Sequence, residues 1–460
     1  METPLSIVTN PTPIAPAPAI QPDGPPPRTG LKNFANQIGF IIDAFGLVAR
    51  RFARYGDAYR VHQSGGWLYV FRHPDHLRDV LVSRAGSFDK QHPAFQQLST
   101  VLGDALLTSE GERWRRQRRL VQPAFARARL EQYSHAMVEV ASQHCARLER
   151  GGVFDLSREM HLLTLAIVTR TLFGQTTDDR GRTSQAMQAL NRVFGMPPLL
   201  VRMIPGLRAR IERANRTLDG VMAELIETKR KSLGQGGADD DLLSALMSAR
   251  DEQGEALTPR ELRDQLLTLY IAGHETTSHA LTWMLYLLSQ NPEPLAKLRA
   301  ELATVLGGRA PSFEDLARLP YTEQVVKESL RMCPPVFLIP RHAREEADVG
   351  PYRVPKDSEI VLWIYTTHHD PRWYPEPERF RPERFDPALE LTRPRTSWVP
   401  FGAGQRACIG QMFAMIEMQL ILATYVQRLD FSYTRRRTPR RRLGVTLAPR
   451  GGMPMRFRSL

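Results

Sequence analysis

Two stretches of the chain concentrate the residues able to do chemistry. Residues 272 to 279, AGHETTSH, put two histidines, a glutamate and two threonines into eight positions, and residues 401 to 410, FGAGQRACIG, set Cys408 among glycines and an arginine. The first invites comparison with the zinc-protease pattern H-E-x-x-H, whose histidines stand four apart on one helix face. Here His274 and His279 are five apart, which on a helix turns one ring from the other by roughly 140°. Both cannot reach one ion without unwinding, and Ser278 stands where the second ligand is needed. Glu275, Thr276 and Thr277 therefore need another explanation.

The second stretch contains Gly402-x-Gly404-x-x-Ala407, similar to a dinucleotide fingerprint. That reading needs a βαβ unit with further strands downstream, and the chain ends too soon, in arginine-rich and turn-rich sequence. A cysteine just before a helix meets unpaired backbone N–H groups and the positive end of the helix dipole, which favour thiolate over thiol. A lone buried cysteine is more often a small hydrophobe. Around Cys408, however, Gly402, Gly404 and Gly410 let the backbone approach a planar ligand, Phe401 can shield the sulfur, and Arg406 can reach an anionic group.

The elements that must position these residues can be read in outline. Thr258-Pro259-Arg260-Glu261 supplies an N-cap, a first-turn proline and a capping-box glutamate, and the apolar pattern then continues to Gln290, before Pro292. This predicts a helix of about 32 residues, ~48 Å long, enough to cross a domain. Thr268, Ala272, Thr276 and Ala280, with Gly273 beside them, make a stripe of small side chains on it. Such a stripe serves either a close helix crossing or a flat ligand. GDAYRVHQSGGWLYVFRHP alternates like a hairpin with Gly65-Gly66 as its turn. From Pro74 to about residue 335 the pattern is mostly helical, with breaks at PGLRAR, GQGGADDD and GGRAPS. Residues 1 to 30, rich in proline, read as a disordered or extended arm, and residues 31 to 460 as one domain without repeats or interior linkers.

Composition narrows the function classes. The 460 residues carry a formal charge of +13 and are 42% hydrophobic. The arginines fall in short groups, Arg113 to Arg119, Arg208 to Arg216 and Arg435 to Arg442, without the aromatic interleaving or zinc-finger spacing of nucleic-acid binders. A solvated face or a docking surface for an acidic protein explains them better. Cys145, Cys333 and Cys408 are too few and too scattered for a disulfide framework or a four-cysteine iron–sulfur site. The N-terminus lacks a signal peptide's charged start and apolar run, and no stretch of ~18 apolar residues appears. A soluble, cytoplasmic protein is expected.

At this point the chain resembles a known family. FGAGQRACIG matches the haem-binding signature of the cytochromes P450, F-x-x-G-x-R-x-C-x-G, at every fixed position. Glu328-Ser329-Leu330-Arg331 is similar to the family's E-x-x-R, FRPERF supplies Arg384 to complete its triad, Trp114-x-x-x-Arg118 matches its W-x-x-x-R, and AGHETT its oxygen-binding stretch. An isolated E-x-x-R means little, because i,i+3 ion pairs are common on polar helices. Four motifs in order, over about residue 35 to the end, are specific.

The resemblance implies a mainly α fold, with a large helical domain and a smaller β-rich region, binding haem b non-covalently since no C-x-x-C-H site exists. Cys408 would be the axial thiolate and only metal ligand of the chain, pushing electron density that favours O–O cleavage. Arg406, Arg118 and Trp114, with Arg341, would meet the propionates. Phe401, Gly402, Gly410, Ala272 and Gly273 would lie against the haem. Glu328, Arg331 and Arg384 would be structural. Glu275 and Thr276 would be the acid–alcohol pair, Thr276 hydrogen-bonding bound dioxygen and Glu275 relaying protons. They would sit beside a helix distortion at Ala272-Gly273 that leaves room for O2. His274, His279 and Thr277 are then read as satisfied or surface-facing residues. Phe95, Leu98, Val336, Phe337 and Leu338 are candidate substrate contacts.

The implied reaction inserts one atom of O2 into an apolar small molecule, by hydroxylation or epoxidation. Electrons would pass from NAD(P)H through a reductase and a separate acidic ferredoxin or flavodoxin, docked near Arg113, Arg115, Arg116 and Arg119 of a monomer. A peroxide-driven or rearranging haem-thiolate enzyme would not need the acid–alcohol pair, and a haem sensor would carry an output domain. His368-His369-Asp370 departs from the family's usual arginine, so it takes no role. Cys333 is expected to be inert, and the acid is glutamate where aspartate is common.

Overall fold

A computed structural model describes residues 20–26, 30–63, 66–174, 182, 186, 205–236 and 241–460. Among them are ten helices of ten or more residues: α1 Gly30–Tyr55, α2 Pro93–Leu102, α3 Gly111–Val121, α4 Arg127–Leu148, α5 Leu156–Phe173, α6 Leu207–Gly234, α7 Pro259–Gln290, α8 Pro292–Leu306, α9 Pro320–Met332 and α10 Gln411–Arg428. Four begin on proline, whose missing N–H costs nothing in a first turn. The expected long helix is α7. Thr258 accepts from the Glu261 N–H, and the Glu261 carboxylate accepts in return from the Thr258 N–H at 3.0 Å, closing the capping box.

The central helix α7 packs on α5, α9 and α10 and belongs to two apolar clusters at once. Leu262 to Ile271 join one, with α3, α5 and α6. Ala280 to Leu288 join the other, with α4, α9 and α10. The gap between the two clusters is the stretch 272 to 279.

A smaller β region flanks the helices. Its five-stranded sheet runs in the order Ala58–Gln63, Gly66–Phe71, Glu359–Leu362, Ile339–Ala343, Phe88–Asp89. Only the pairing of Gly66–Phe71 with Glu359–Leu362 is parallel. Gln63 pairs with Gly66, so Gly66 opens the second strand of the hairpin and does not form its turn; the rest of the turn lies outside the described residues. The last part of the N-terminal arm is extended and docked on this sheet. Gln21 Oε1 accepts from Tyr69 at 2.7 Å and from Arg60 at 3.1 Å, and the Asp23 carbonyl accepts from the Arg60 N–H. Disorder is thus not the state of the arm from Ile20 to Pro26. A strand at Gly152–Asp155 went unforeseen, because it is short and pairs with Pro454–Ser459 at the far end of the chain.

Among the described residues no helix is long and apolar enough to cross a membrane.

Candidate active site

Between Asp264 and Leu288, Ala272, Gly273, Thr276 and His279 are the residues of α7 that are not buried. They lie at i, i+1, i+4 and i+7, one stripe of one face, so the middle of α7 lines a cleft. The two readings of the small-residue stripe divide it between them. A Cβ on Gly273 would meet Val168 of α5 at 3.2 Å, so this glycine serves a close helix crossing. Ala272 and Thr276 open to the cleft, while Thr268 and Ala280 are buried. The expected distortion is absent: α7 runs unbroken through Ala272-Gly273. Hydroxyls also donate to the carbonyls there, Thr276 to Ala272 O at 2.7 Å and Thr277 to Gly273 O at 3.0 Å, a back-bonding that often bends a helix and here leaves it continuous.

The cysteine loop precedes α10, whose N-cap is Gly410. The Cys408 N–H donates to Phe401 O at 2.9 Å, and the Gly402 N–H to Val399 O at 3.0 Å. Gly404 has φ +68°, and a Cβ there would collide with the Leu81 carbonyl, so only glycine lets the loop lie this close to its neighbour. Trp398 stacks edge-on against Phe401 at 6.2 Å, and His368 Nε2 accepts from the Val399 N–H at 3.0 Å. His368 thus supports the loop, a role its sequence did not announce. The Cys408 side chain is deep in the protein yet exposed to the cleft. Burial holds its thiol above the ordinary value, against the pull of the Gly410 N–H and of Arg118. The preference for thiolate expected from the helix N-terminus is therefore outweighed by desolvation in the protein alone.

Cations gather beside this loop. Arg118 donates to Ala407 O at 2.9 Å, and Arg406 donates to Ser109 O at 3.0 Å and pairs with Glu110 at 2.7 Å. The Arg406 guanidinium lies 3.9 Å from the centre of the buried Trp114 ring. Arg341, buried, donates to Pro340 O at 2.8 Å. Lys90, missed in the sequence, donates to Leu107 O at 2.7 Å and lies 5.1 Å from the Phe95 ring. Its signal was faint: a single lysine in FDKQHP, made unusual only by being buried. Burial, then the nearby Arg341 and Arg406, push Lys90 well below its ordinary value; burial, then Arg406, lowers Arg341 to about 10. Glu110 and Asp89 offset these charges only in part, and Asp89 also faces His342 Nδ1 at 3.1 Å. Buried like charges this close are costly unless an anion joins them. The residues therefore fit a flat group that carries carboxylates at one edge and a thiolate-binding metal at its centre.

The other expected residues separate. Leu98 and Phe95 lie on α2, and Val336 and Leu338 are half-buried after α9. Phe337 is a core residue, packed on Phe45 at 5.8 Å and Trp363 at 5.9 Å, and so is removed from the substrate contacts. Glu328 and Arg331 are fully buried and doubly bonded at 2.6 and 2.9 Å, with Arg384 Nε at 3.4 Å from Glu328. Cys333 is buried at the end of α9. His274 is wholly buried, with Nδ1 on Tyr270 O, and its Nε2 is unpartnered among the described residues. His279 instead faces Thr446. Of the two expected alternatives, satisfied or surface-facing, His279 fits the first, and His274 fits it at Nδ1 alone.

The mainly helical domain with its small sheet thus sets a cysteine loop before a helix, with arginines and a lysine beside it. The profile of the cytochrome P450 family matches residues 25–453, and the chain belongs to that family as a monooxygenase. It is 36% identical to cyclooctatin synthase of Streptomyces melanosporofaciens, over 81% of this chain and 83% of that one. It is 35% identical to pentalenene oxygenase of Streptomyces avermitilis, over 81% and 84%, and 31% identical to an ultra-long-chain fatty acid omega-hydroxylase of Homo sapiens, over 85% and 80%. Its fold is similar to the crystal structure of the cytochrome P450DA heme domain, with TM-score 0.86 and 26% identity over 96% of this chain and 98% of that one.

Proposed function

We propose that this chain holds haem b through Cys408 and inserts one atom of O2 into an apolar, terpene-like small molecule, by hydroxylation or epoxidation, while the other atom leaves as water. The observation that carries this reading is the pairing of an accessible cysteine with a cluster of cations, Lys90 and Arg341 buried and Arg118 and Arg406 half-buried. The names of the relatives from Streptomyces point to the substrate class.

When bound, haem supplies the reductive activation of O2. The protein supplies the rest. Arg118, Arg406, Arg341 and Lys90 would neutralise the propionates, Arg406 with its planar fork held on Trp114. The Thr276 hydroxyl, now donating to Ala272 O, can turn into the cleft and hold a proton there. Glu275, one residue earlier, is the acid that can renew that proton. Ala272 and the apolar side chains of Leu98, Val336 and Leu338 would keep water out and leave the substrate's shape to decide the position of attack.

Electrons would come from NAD(P)H through a reductase and an acidic ferredoxin or flavodoxin. The basic face expected to receive it is partly neutralised: Arg113 pairs with Asp104, Arg115 with Glu112 and Arg119 with Glu252. Arg116 is withdrawn, half-buried between Asp251 and Glu261.

A panel of pentalenene, fatty acids, steroids and macrolides, followed by the low-to-high-spin shift of the purified holoprotein, tests the substrate class. The hydrocarbon should give the largest shift; no shift with any terpene hydrocarbon refutes that class. With ¹⁸O2 the product should carry the label, and product formed from peroxide alone would favour the peroxygenase reading. Thr276→Ala should lower product per NAD(P)H with little change in the binding shift. Lys90→Met removes a charged partner and should speed haem transfer to apomyoglobin about tenfold or more, on the scale of one charge-assisted hydrogen bond; unchanged transfer would detach Lys90 from the haem.

A further inference from the structure

Thr446 lies in the loop between the short strands Arg441–Arg442 and Ala448–Pro449 and is buried. Its hydroxyl oxygen stands 2.9 Å from His279 Nδ1 and 3.3 Å from Glu275 Oε1. Glu275 and His279 are four residues apart on α7, hence on one side of it. The loop is tied on both flanks of the next residue: the Leu447 N–H donates to Pro335 O at 2.9 Å, and Trp283 Nε1–H to Leu447 O at 3.0 Å. The hydroxyl is thus held in place by the core.

A hydroxyl has one proton and here two neighbours. An ionised carboxylate only accepts, so with Glu275 ionised the proton points at Glu275, and the ring then supplies its own Nδ1–H to the Thr446 oxygen. The opposite arrangement would set two lone-pair-bearing oxygens against each other in a buried place. We propose that His279 and Thr446 are positioning residues for the acid of this monooxygenase: the imidazole, held as the Nδ1–H tautomer, fixes the direction of the Thr446 hydroxyl, which fixes Glu275 Oε1. This rests on the reading of Glu275 as the acid. Burial first, then the charged or titratable neighbours His161 and Arg442, oppose a positive charge on His279, which keeps the ring neutral.

The test uses the reduced, carbon-monoxide-bound holoprotein with ¹⁵N-labelled histidine. In the wild type His279 should be the Nδ1–H tautomer. Glu275→Leu removes the acceptor, frees the Thr446 proton for the ring, and should switch His279 to Nε2–H. Thr446→Val should move the infrared band of bound carbon monoxide in the same direction as Glu275→Leu, and Thr446→Ser should restore it. An Nε2–H ring in the wild type, no switch in Glu275→Leu, a band that Thr446→Val leaves in place, or failure of serine to restore it would each overturn the proposal. If the wild type gives no thiolate-type carbon monoxide spectrum, the haem reading fails instead, and the tautomer of the protein as isolated still decides the hydrogen-bond order.

Discussion

Cys408→Ser yields a folded protein that lacks the red-shifted absorbance of reduced, carbon-monoxide-treated thiolate haem and has no monooxygenase activity. The two halves of this expectation rest on different atoms. Folding depends on the main chain of the loop, where the Cys408 N–H meets Phe401 O and Gly404 lies against Leu81, and serine disturbs neither. The side chain faces a cleft and fills no core, so its loss should change stability by no more than about 0.5 kcal/mol. A hydroxyl, in contrast, is a harder and far less acidic donor than a thiol, and cannot supply the electron push that sulfur gives to iron. Carbon monoxide difference spectra and thermal unfolding of the same preparation check both halves. A variant that retained the thiolate spectrum would remove the basis of the whole functional reading.

The second large effect is on stability. Glu328→Gln should cost about 3–5 kcal/mol, a large share of the ~5–15 kcal/mol that keeps a domain folded. Glu328 takes two bonds from Arg331, lies 3.4 Å from Arg384, and accepts from the Arg381 N–H at 2.9 Å, with no exposure to water. Removing its charge leaves two guanidinium groups buried with no anion beside them. The neutral amide keeps one accepting oxygen where the carboxylate had two, and its NH2 can only donate toward groups that are themselves donors. Lys297→Ala gives the contrast. Lys297 pairs with Glu383 at 2.8 Å on the surface, where water screens the pair, and its loss should cost no more than about 1 kcal/mol. Urea unfolding followed by circular dichroism compares the two; equal midpoints would show that the triad is not the structural keystone proposed.

Much of the site was legible because its signals are local. The capping box at Thr258 and Glu261 forms within one turn, and so α7 begins and ends where its residues say. The cysteine loop is likewise a run of near neighbours, with Gly404 where a side chain would collide. Lys90 was not legible, because a lysine is unremarkable until the fold buries it. Phe337 was misplaced for the converse reason: an apolar residue in an apolar loop can face a pocket or a core, and here Phe45 and Trp363 claimed it. The strand at Gly152–Asp155 had no alternation to reveal it and exists only through its pairing with the chain end.

By itself, then, the order of residues determined the helices, the long central one above all, the cysteine loop and the family, since each depends on contacts within a few positions. Tertiary structure alone decided which of two adjacent small residues faces the cleft and which faces Val168, that burial outweighs the Gly410 N–H and Arg118 at Cys408, and that His279 answers to Thr446, 167 positions away. Those outcomes turn on desolvation and on distances between segments remote in the chain, and neither quantity exists until the core has closed around them.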